Sequence, residues 1–240
     1  MYEERGSRID GAVVWTRTAG PSAYPVLPDG CMDLLWSEGR LLVAGPDTHA
    51  HAPGGSAAWA GVRFAPGAAP VFFGLPAHEL RDRRVELADL WGAAESRRLA
   101  ERIGEAADRA AELEAVALRR AARTGPPDPL LQAVVRYLDA GGTVRGAADA
   151  AGLGARQLHR RALHAFGYGP KTLARVLRLQ RALALVRRGA PYGDAALAAG
   201  CADQSHLARE MRAMTGLTLG AYEALANSET PVPSGSSTTA

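Results

Sequence analysis

The chain has 240 residues, of which 47% are hydrophobic and 22% are charged, a balance typical of a globular protein. No apolar run reaches the roughly 18 residues that a membrane-spanning helix needs. The first residues mix both charges with no apolar stretch behind them, so no signal peptide is predicted and a cytoplasmic location is expected. The two cysteines, Cys31 and Cys201, are too few and too far apart to predict a disulfide framework or a cysteine zinc site.

The net charge of +3 is unevenly distributed along the chain. Residues 1–128 carry 15 arginines and 18 acidic residues, a net charge of −3. Residues 129–227 carry 13 lysines and arginines and 6 acidic residues, a net charge of +7, and Glu229 supplies the last negative charge. The asymmetry indicates that the second part meets a polyanion and the first part does not.

Residues 1–91 have the texture of a small β-rich domain. Short β-prone runs alternate with turn signals such as Pro28-Asp29-Gly30 and Gly45-Pro46-Asp47, a rhythm that favours antiparallel strands in a sandwich or barrel. The predicted strands are Ala12–Thr16, Met32–Trp36, Leu41–Ala44 and Trp59–Phe64. With the helical second half, these strands predict the α+β class.

Residues 92–123 change to Ala, Glu, Arg and Leu at helical spacing, which predicts two helices broken near Gly104. Their apolar residues would pack against the β-rich domain or pair with a second subunit, and the spacing does not separate these alternatives. Residues 124–128 contain Gly125-Pro126-Pro127, the composition of a stiff linker. Residues 129–227 read as an all-helical domain, and residues 228–240 as a disordered tail.

The helical domain opens with a readable start signal, Asp128 as N-cap and Pro129 at the first helical position. A second start at Pro170 predicts a helix to Arg188, about 27 Å long at 1.5 Å per residue. Its apolar stripe is Leu173, Val176, Leu177, Leu183 and Val186, and Arg175, Arg178 and Arg181 lie elsewhere on its surface.

Two related segments flank that long helix, at 147–167 and 195–216. Each reads as a short helix, a glycine, a turn and a longer helix, which is the pattern of a helix-turn-helix. Gly152 and Gly200 can take the left-handed conformation that ends the first helix. Leu158 and Leu207 are expected to fill the angle between the two helices.

The second helix of each segment carries a polar face opposite its apolar one. By i, i+3, i+4 spacing, Arg156, His159 and Arg160 share a face in the first segment. In the second segment Asp203 is the expected N-cap, and the polar residues that follow it are Gln204, Ser205, His206 and Arg209. Such side chains near a helix N-terminus suit base edges in the major groove of double-stranded DNA.

Residues 129–222 resemble the DNA-binding domain of the AraC/XylS family of transcription regulators. The resemblance rests on two tandem patterns: Gly152, Arg156, Leu158, Arg160, Gly167 and Pro170, then Ala198, Gly200, Asp203, Gln204, Ser205, His206, Leu207, Arg209, Gly216, Thr218 and Tyr222. Departures from the family pattern are Gly154, Ala162, Met211 and Leu219.

The resemblance implies a one-component, sequence-specific regulator of transcription that acts on or with RNA polymerase. It also implies an N-terminal domain, often cupin-like, that senses a small-molecule effector or forms a homodimer. The effector is not identified by the sequence, and no cofactor is expected.

An alternative function is a cupin-type metalloenzyme with an appended DNA-binding module. His49 and His51 form the HxH pair that such a metal site uses, but Pro53-Gly54-Gly55 stands where a glutamate ligand would follow. We therefore expect no metal site and no catalytic residues. Cys31 is expected to be a buried apolar side chain, and most of the aromatic residues of this half are expected in its core.

Overall fold

The computed structural model describes residues 1–20, 24–52 and 56–228. Six strands form one antiparallel sheet in the order β1-β2-β5-β3-β4-β6. Their bounds are β1 Tyr2–Gly6, β2 Ala12–Arg17, β3 Met32–Ser37, β4 Arg40–Ala44, β5 Trp59–Phe64 and β6 Arg84–Glu86. The α+β class is confirmed. The β-rich part corrects the prediction of a sandwich or barrel, because its described strands form a single sheet with β1 and β6 at its edges.

Two short helices and a long helical hairpin belong to the same half of the chain. The short helices are α1 Ala69–Phe73 and α2 Ala88–Trp91, separated by a 3₁₀ turn at Ala77–Glu79, and the hairpin is α3 Ala93–Glu105 and α4 Arg109–Thr124. The predicted break near Gly104 is thus found just after it. Of the described helices, none combines the length and apolar character needed to cross a bilayer.

The core of this half lies between one face of the sheet and the α3–α4 hairpin. Val14, Leu34, Val43 and Val62, all at most 2% exposed, come from four neighbouring strands in matching register. Helix residues that lie in the same cluster include Leu99, Ile103, Leu113 and Val116. The apolar face of these helices therefore covers the chain's own sheet, which is the first of the two alternatives.

Glu114 of α4 is a buried carboxylate that holds the N-terminal strand in place. Its side chain is 2% exposed and accepts hydrogen bonds from Arg5 Nη2, Ser7 Oγ and the Arg8 backbone N–H, at 2.9, 2.8 and 2.7 Å. Burial by itself raises the pKa of Glu114, but these donors outweigh it and lower the pKa to about 2. The carboxylate is therefore a structural anchor.

We expect the free energy of unfolding to fall as the pH drops from about 5 to about 2, because a carboxylate with a lowered native pKa stabilises the fold above its unfolded pKa and loses that effect on protonation. The full shift corresponds to about 3 kcal/mol, and screening by solvent around the half-exposed Arg5 reduces it to about 1–2 kcal/mol. Urea unfolding of the wild type and Glu114→Gln at several pH values measures this. An equal pH dependence in both proteins would contradict the assignment.

The remaining helices form the second half. They are α5 Pro129–Asp139, α6 Val144–Ala150, α7 Ala155–Phe166, α8 Pro170–Arg187, α9 Tyr192–Ala198, α10 Gln204–Thr215 and α11 Leu219–Ser228. Asp128 caps α5 as predicted, accepting from the Leu130 N–H at 2.9 Å. The predicted tail at 228–240 lies, apart from Ser228 at the end of α11, outside the described residues.

The two halves are in direct contact. Tyr24, 6% exposed, belongs to the core of the helical half, where its ring meets that of Tyr222 with centroids 5.8 Å apart. Gln180 of α8 donates from Nε2 to the carbonyl oxygen of Pro28 at 2.6 Å. The segment around residues 24–28 therefore attaches the sheet half to the helical half.

Candidate DNA-binding surface

Each predicted helix-turn-helix is present as a pair of helices, α6 with α7 and α9 with α10. Gly152 and Gly200 in the two turns have φ of +62° and +87°, the left-handed conformation expected from the sequence. Leu158 and Leu207 are both 0% exposed and lie in one shared core. The glycine lets the chain reverse tightly, and the leucine fixes the angle at which the second helix leaves the turn.

The two second helices begin differently. Asp203 caps α10, and its Oδ1 accepts from the His206 N–H at 2.6 Å. Gly154 has no side chain to cap α7, but Gln157 reaches back and its Oε1 accepts from the Gly154 N–H at 3.1 Å. This is one half of a capping box, so the unusual glycine is partly compensated by the residue three positions later.

Helix α8 supports α10 through charged contacts. Glu210 accepts from Arg175 Nε and Nη2 at 2.9 and 3.2 Å, and Arg178 Nη2 lies 3.5 Å from Glu210 Oε2. Burial raises the pKa of Glu210, but the two guanidinium groups more than offset this and lower it. These arginines, which the sequence placed only on the surface of α8, are thus structural.

Arg181 of α8 joins three elements. Its Nη1 donates to the carbonyl oxygen of Leu138 at 3.2 Å, and its Nη2 donates to that of Ala199 at 3.1 Å. The same guanidinium group therefore contacts carbonyl groups at the C-terminal ends of α5 and α9. Helix α8 consequently ties α5 to the second helix-turn-helix unit.

The structure places the seven predicted DNA contacts in two groups. Five of them are exposed and have no hydrogen-bond or ion-pair partner within the described part of the chain, and these are Arg156, Arg160, Gln204, Ser205 and Arg209. The other two are histidines with local contacts. His206 Nδ1 accepts from the Ala202 N–H at 3.2 Å. The ring of His159 packs against Gly169. A Cβ added to Gly169 would lie 2.8 Å from Cε1 of His159.

One exposed cation of α10 was missed by the sequence reasoning. Arg212 is exposed, and among the described residues it has no ion-pair partner. It lies three positions after Arg209, so i, i+3 spacing was a signal that could have identified it. The exposed surface formed by Arg156, Arg160, Gln204, Ser205, Arg209 and Arg212 is called the polar surface below.

The C-terminal ends of α7 and α10 contact the sheet half. Gly167 ends α7 in the left-handed conformation, with φ of +81°. It lies close to Pro46, since a Cβ added to Gly167 would be 2.5 Å from Pro46 Cγ. Arg81 Nη1 donates to the Gly167 carbonyl oxygen at 3.4 Å. At the end of α10, the Met214 carbonyl oxygen accepts from the Ala50 N–H at 2.8 Å. Both helices are thus held at their far ends by the other half of the chain.

The residues considered for a metal site lie close to this contact. Thr48 Oγ1 is 2.9 Å from His49 Nδ1, and the backbone of His51 pairs with that of Val26. Within residues 1–20, 24–52 and 56–228, no group of three or more His, Cys, Asp or Glu side chains is placed to hold a metal ion. Cys31 is buried, as expected.

Comparison with known proteins agrees with the division into two halves. The family model described as a helix-turn-helix domain matches residues 147–224, which include α7 to α10. A second model, described as a domain of unknown function (DUF6597), matches residues 12–86. No curated protein matches the chain.

Two similar solved structures are of ToxT from Vibrio cholerae. One, at 1.65 Å resolution, is 8% identical with a TM-score of 0.46, and the alignment covers 93% of this chain and 97% of that one. The other is wild-type ToxT from strain SCE256 with an unsaturated fatty acid bound; it is 10% identical with a TM-score of 0.44, covering 90% of this chain and 94% of that one.

The tandem motifs, the two glycine turns and the helix-turn-helix match all fall on the same residues. This agreement supports a DNA-binding transcription regulator and gives no support to a metalloenzyme. The chain carries a helix-turn-helix domain of the AraC type at residues 147–224.

Proposed function

We propose that the chain reads a specific DNA site with the polar surface of α7 and α10, and that its sheet half controls how those helices are presented. The observation that carries the proposal is the set of exposed side chains on these helices that lack a partner in the described protein. Arginine suits the guanine edge and glutamine the adenine edge in the major groove. The unused donors are the kind that a DNA site would satisfy.

The length of α8 supports reading by both units at once. Its 18 residues span about 27 Å at 1.5 Å per residue. With the turns at each end, α7 and α10 can lie about 34 Å apart, which is one turn of B-DNA. One chain would then contact two successive segments of the major groove on the same side of the duplex.

Control by the sheet half is supported by where the two halves meet. The contacts at Gly167 and Met214 lie at the far ends of α7 and α10, so a shift of the sheet half would move both helices. Between the halves lies a cavity of about 520 Å³, lined on one side by Pro70 and Leu75 and on the other by Leu131 and His164. This volume is in the range of small-molecule sites, which supports an effector that acts here.

Self-association and contact with RNA polymerase are further parts of the proposal. The apolar residues of α3 and α4 are covered by the sheet, so a homodimer would have to use another surface. Sedimentation of the full chain tests for the dimer. Because DNA is its proposed target, we infer that the protein acts in the cytoplasm.

Arg209→Ala tests the reading of bases. If Arg209 contacts a guanine edge, we expect the variant to lose about 1–3 kcal/mol of affinity for the specific site. Its affinity for random DNA should change much less, and its thermal stability should stay the same because the side chain is exposed and forms no hydrogen bond or ion pair with a described residue. Titration of labelled specific and random duplexes, after selection of the site from a random library, measures the difference.

Arg97→Ala is the matched control. Arg97 is also an exposed arginine on a helix, but it lies on α3 in the sheet half. The Arg97→Ala variant should bind the specific and the random duplex with the same affinity as the wild type. If Arg209→Ala binds the specific site as tightly as the wild type, Arg209 does not contact a base there. Arg160→Ala gives the corresponding test for α7.

A further inference from the structure

A groove between α3 and α4 carries a charge opposite to that of the half in which it lies. The groove has a volume of about 210 Å³ and is lined by Trp91, Glu95, Arg98, Leu99, Arg102, Val116, Arg119, Arg120 and Arg123. Five of these nine residues are arginines, although residues 1–128 carry a net charge of −3. We call this site the arginine groove.

The arginines of the groove differ in how far they are already neutralised. Arg102 and Arg119 share one carboxylate, Glu112 Oε1, at 2.8 and 3.0 Å. Arg98 and Arg123 are exposed and form no ion pair with any described residue. Five arginines against Glu95 and Glu112 leave an excess of three positive charges around one small concavity.

The floor of the groove is apolar and fixed. Leu99 and Val116 are 5% and 4% exposed. Arg120 is held by two contacts: its Nε donates to the Phe72 carbonyl oxygen at 3.1 Å, and its guanidinium lies 4.6 Å from the centre of the Trp91 ring. A charge held rigidly over an apolar floor interacts more strongly with a ligand than a freely solvated one, because the local dielectric is lower.

Helix stability alone explains only part of this arrangement. Arg120 and Arg123 lie in the last turns of α4, where positive charge is favoured by the helix dipole. Arg98 lies in the middle of α3, where the dipole gives no such benefit. Arg98 and Arg123 are moreover on opposite walls of the groove, so an anion between them would be bound from two sides.

We propose that the arginine groove binds a small phosphorylated molecule with a diphosphate-like group. The excess of three charges matches a ligand with two or more negative charges, and guanidinium groups bind phosphate oxygens in pairs. The volume is smaller than that of sites for drug-sized ligands, about 300–1,000 Å³, so a compact anion fits it. This site is separate from the polar surface and from the cavity between the halves.

Calorimetric titration of the full chain with inorganic pyrophosphate at about 150 mM salt tests the proposal. We expect one site per chain and an affinity that falls about tenfold or more in Arg98→Ala/Arg123→Ala, since each substitution removes a charged hydrogen-bond donor. Arg98→Lys/Arg123→Lys should recover part of the affinity, because lysine keeps the charge and loses the planar fork. Arg97→Ala, on the same helix outside the groove, should bind like the wild type.

A second pair of variants separates this site from the DNA surface, which also attracts phosphate. The double variant Arg156→Ala/Arg209→Ala should bind pyrophosphate like the wild type and bind DNA weakly. The double variant Arg98→Ala/Arg123→Ala should bind pyrophosphate weakly and bind DNA like the wild type. Loss of pyrophosphate binding in the DNA-surface variant alone would overturn the proposal, and so would equal binding of citrate. Lower self-association in the groove variant with unchanged pyrophosphate affinity would show instead that the groove meets a second copy.

Discussion

The affinity of the chain for its DNA site is expected to fall about a thousandfold between 50 and 200 mM salt. Each phosphate that is neutralised by a lysine or arginine releases condensed counterions, so the logarithm of the binding constant falls with slope about −0.9 per contact. The helical half carries a net charge of +7 over residues 129–227. If about six of its cations meet phosphates, the slope is near −5, and a fourfold rise in salt has this effect.

Single substitutions show how much each residue contributes to the salt dependence of binding. Removal of a phosphate contact should weaken binding to all sequences equally and make the slope less negative by about one. Lys171, which is exposed and lies outside the polar surface, is a suitable choice in the helical half. Arg97→Ala serves again as the control, since its position in the sheet half should leave the slope unchanged. Binding that is indifferent to salt over this range would count strongly against the proposed DNA surface.

Leu207→Ala is expected to lower the free energy of unfolding of the helical half by about 2–5 kcal/mol. Leu207 is 0% exposed and lies in the core with Met211 and Met214 of the same helix and Ala196 of α9. Truncation removes buried methyl groups and leaves a cavity that the surrounding side chains fill only in part. The loss of DNA binding would then follow the loss of folded protein.

Leu197→Ala is the matched control, because it makes the same chemical change on α9 at a side chain that is 62% exposed. We expect it to change stability by less than about 0.5 kcal/mol. Urea unfolding followed by circular dichroism compares the two variants. Similar stabilities for Leu207→Ala and Leu197→Ala would mean that Leu207 does not fill the angle between α9 and α10. Leu158→Ala should behave like Leu207→Ala in the first unit.

Local signals in the sequence were enough to predict most elements and both recognition units. Turn residues and β-prone runs located β2 to β5, because strand ends are marked by glycine and proline. Asp128, Pro129 and Pro170 located the starts of α5 and α8, and glycines marked the two turns. The strands at the sheet edges were missed, since β1 is rich in charge and β6 has only three residues, and short or charged edge strands have weak patterns.

The pairing of charges and the docking of the two halves depended on the tertiary structure. Periodicity indicates which face of a helix is polar, but it does not tell whether that face meets water, DNA or a partner far along the chain. Arg175 and Arg209 are both polar positions on helices, yet Arg175 is bound to Glu210, 35 residues away, and Arg209 has no partner among the described residues. Glu114 likewise meets Arg5 across 109 residues. Such contacts follow from the folding of distant segments against each other, which no local pattern encodes.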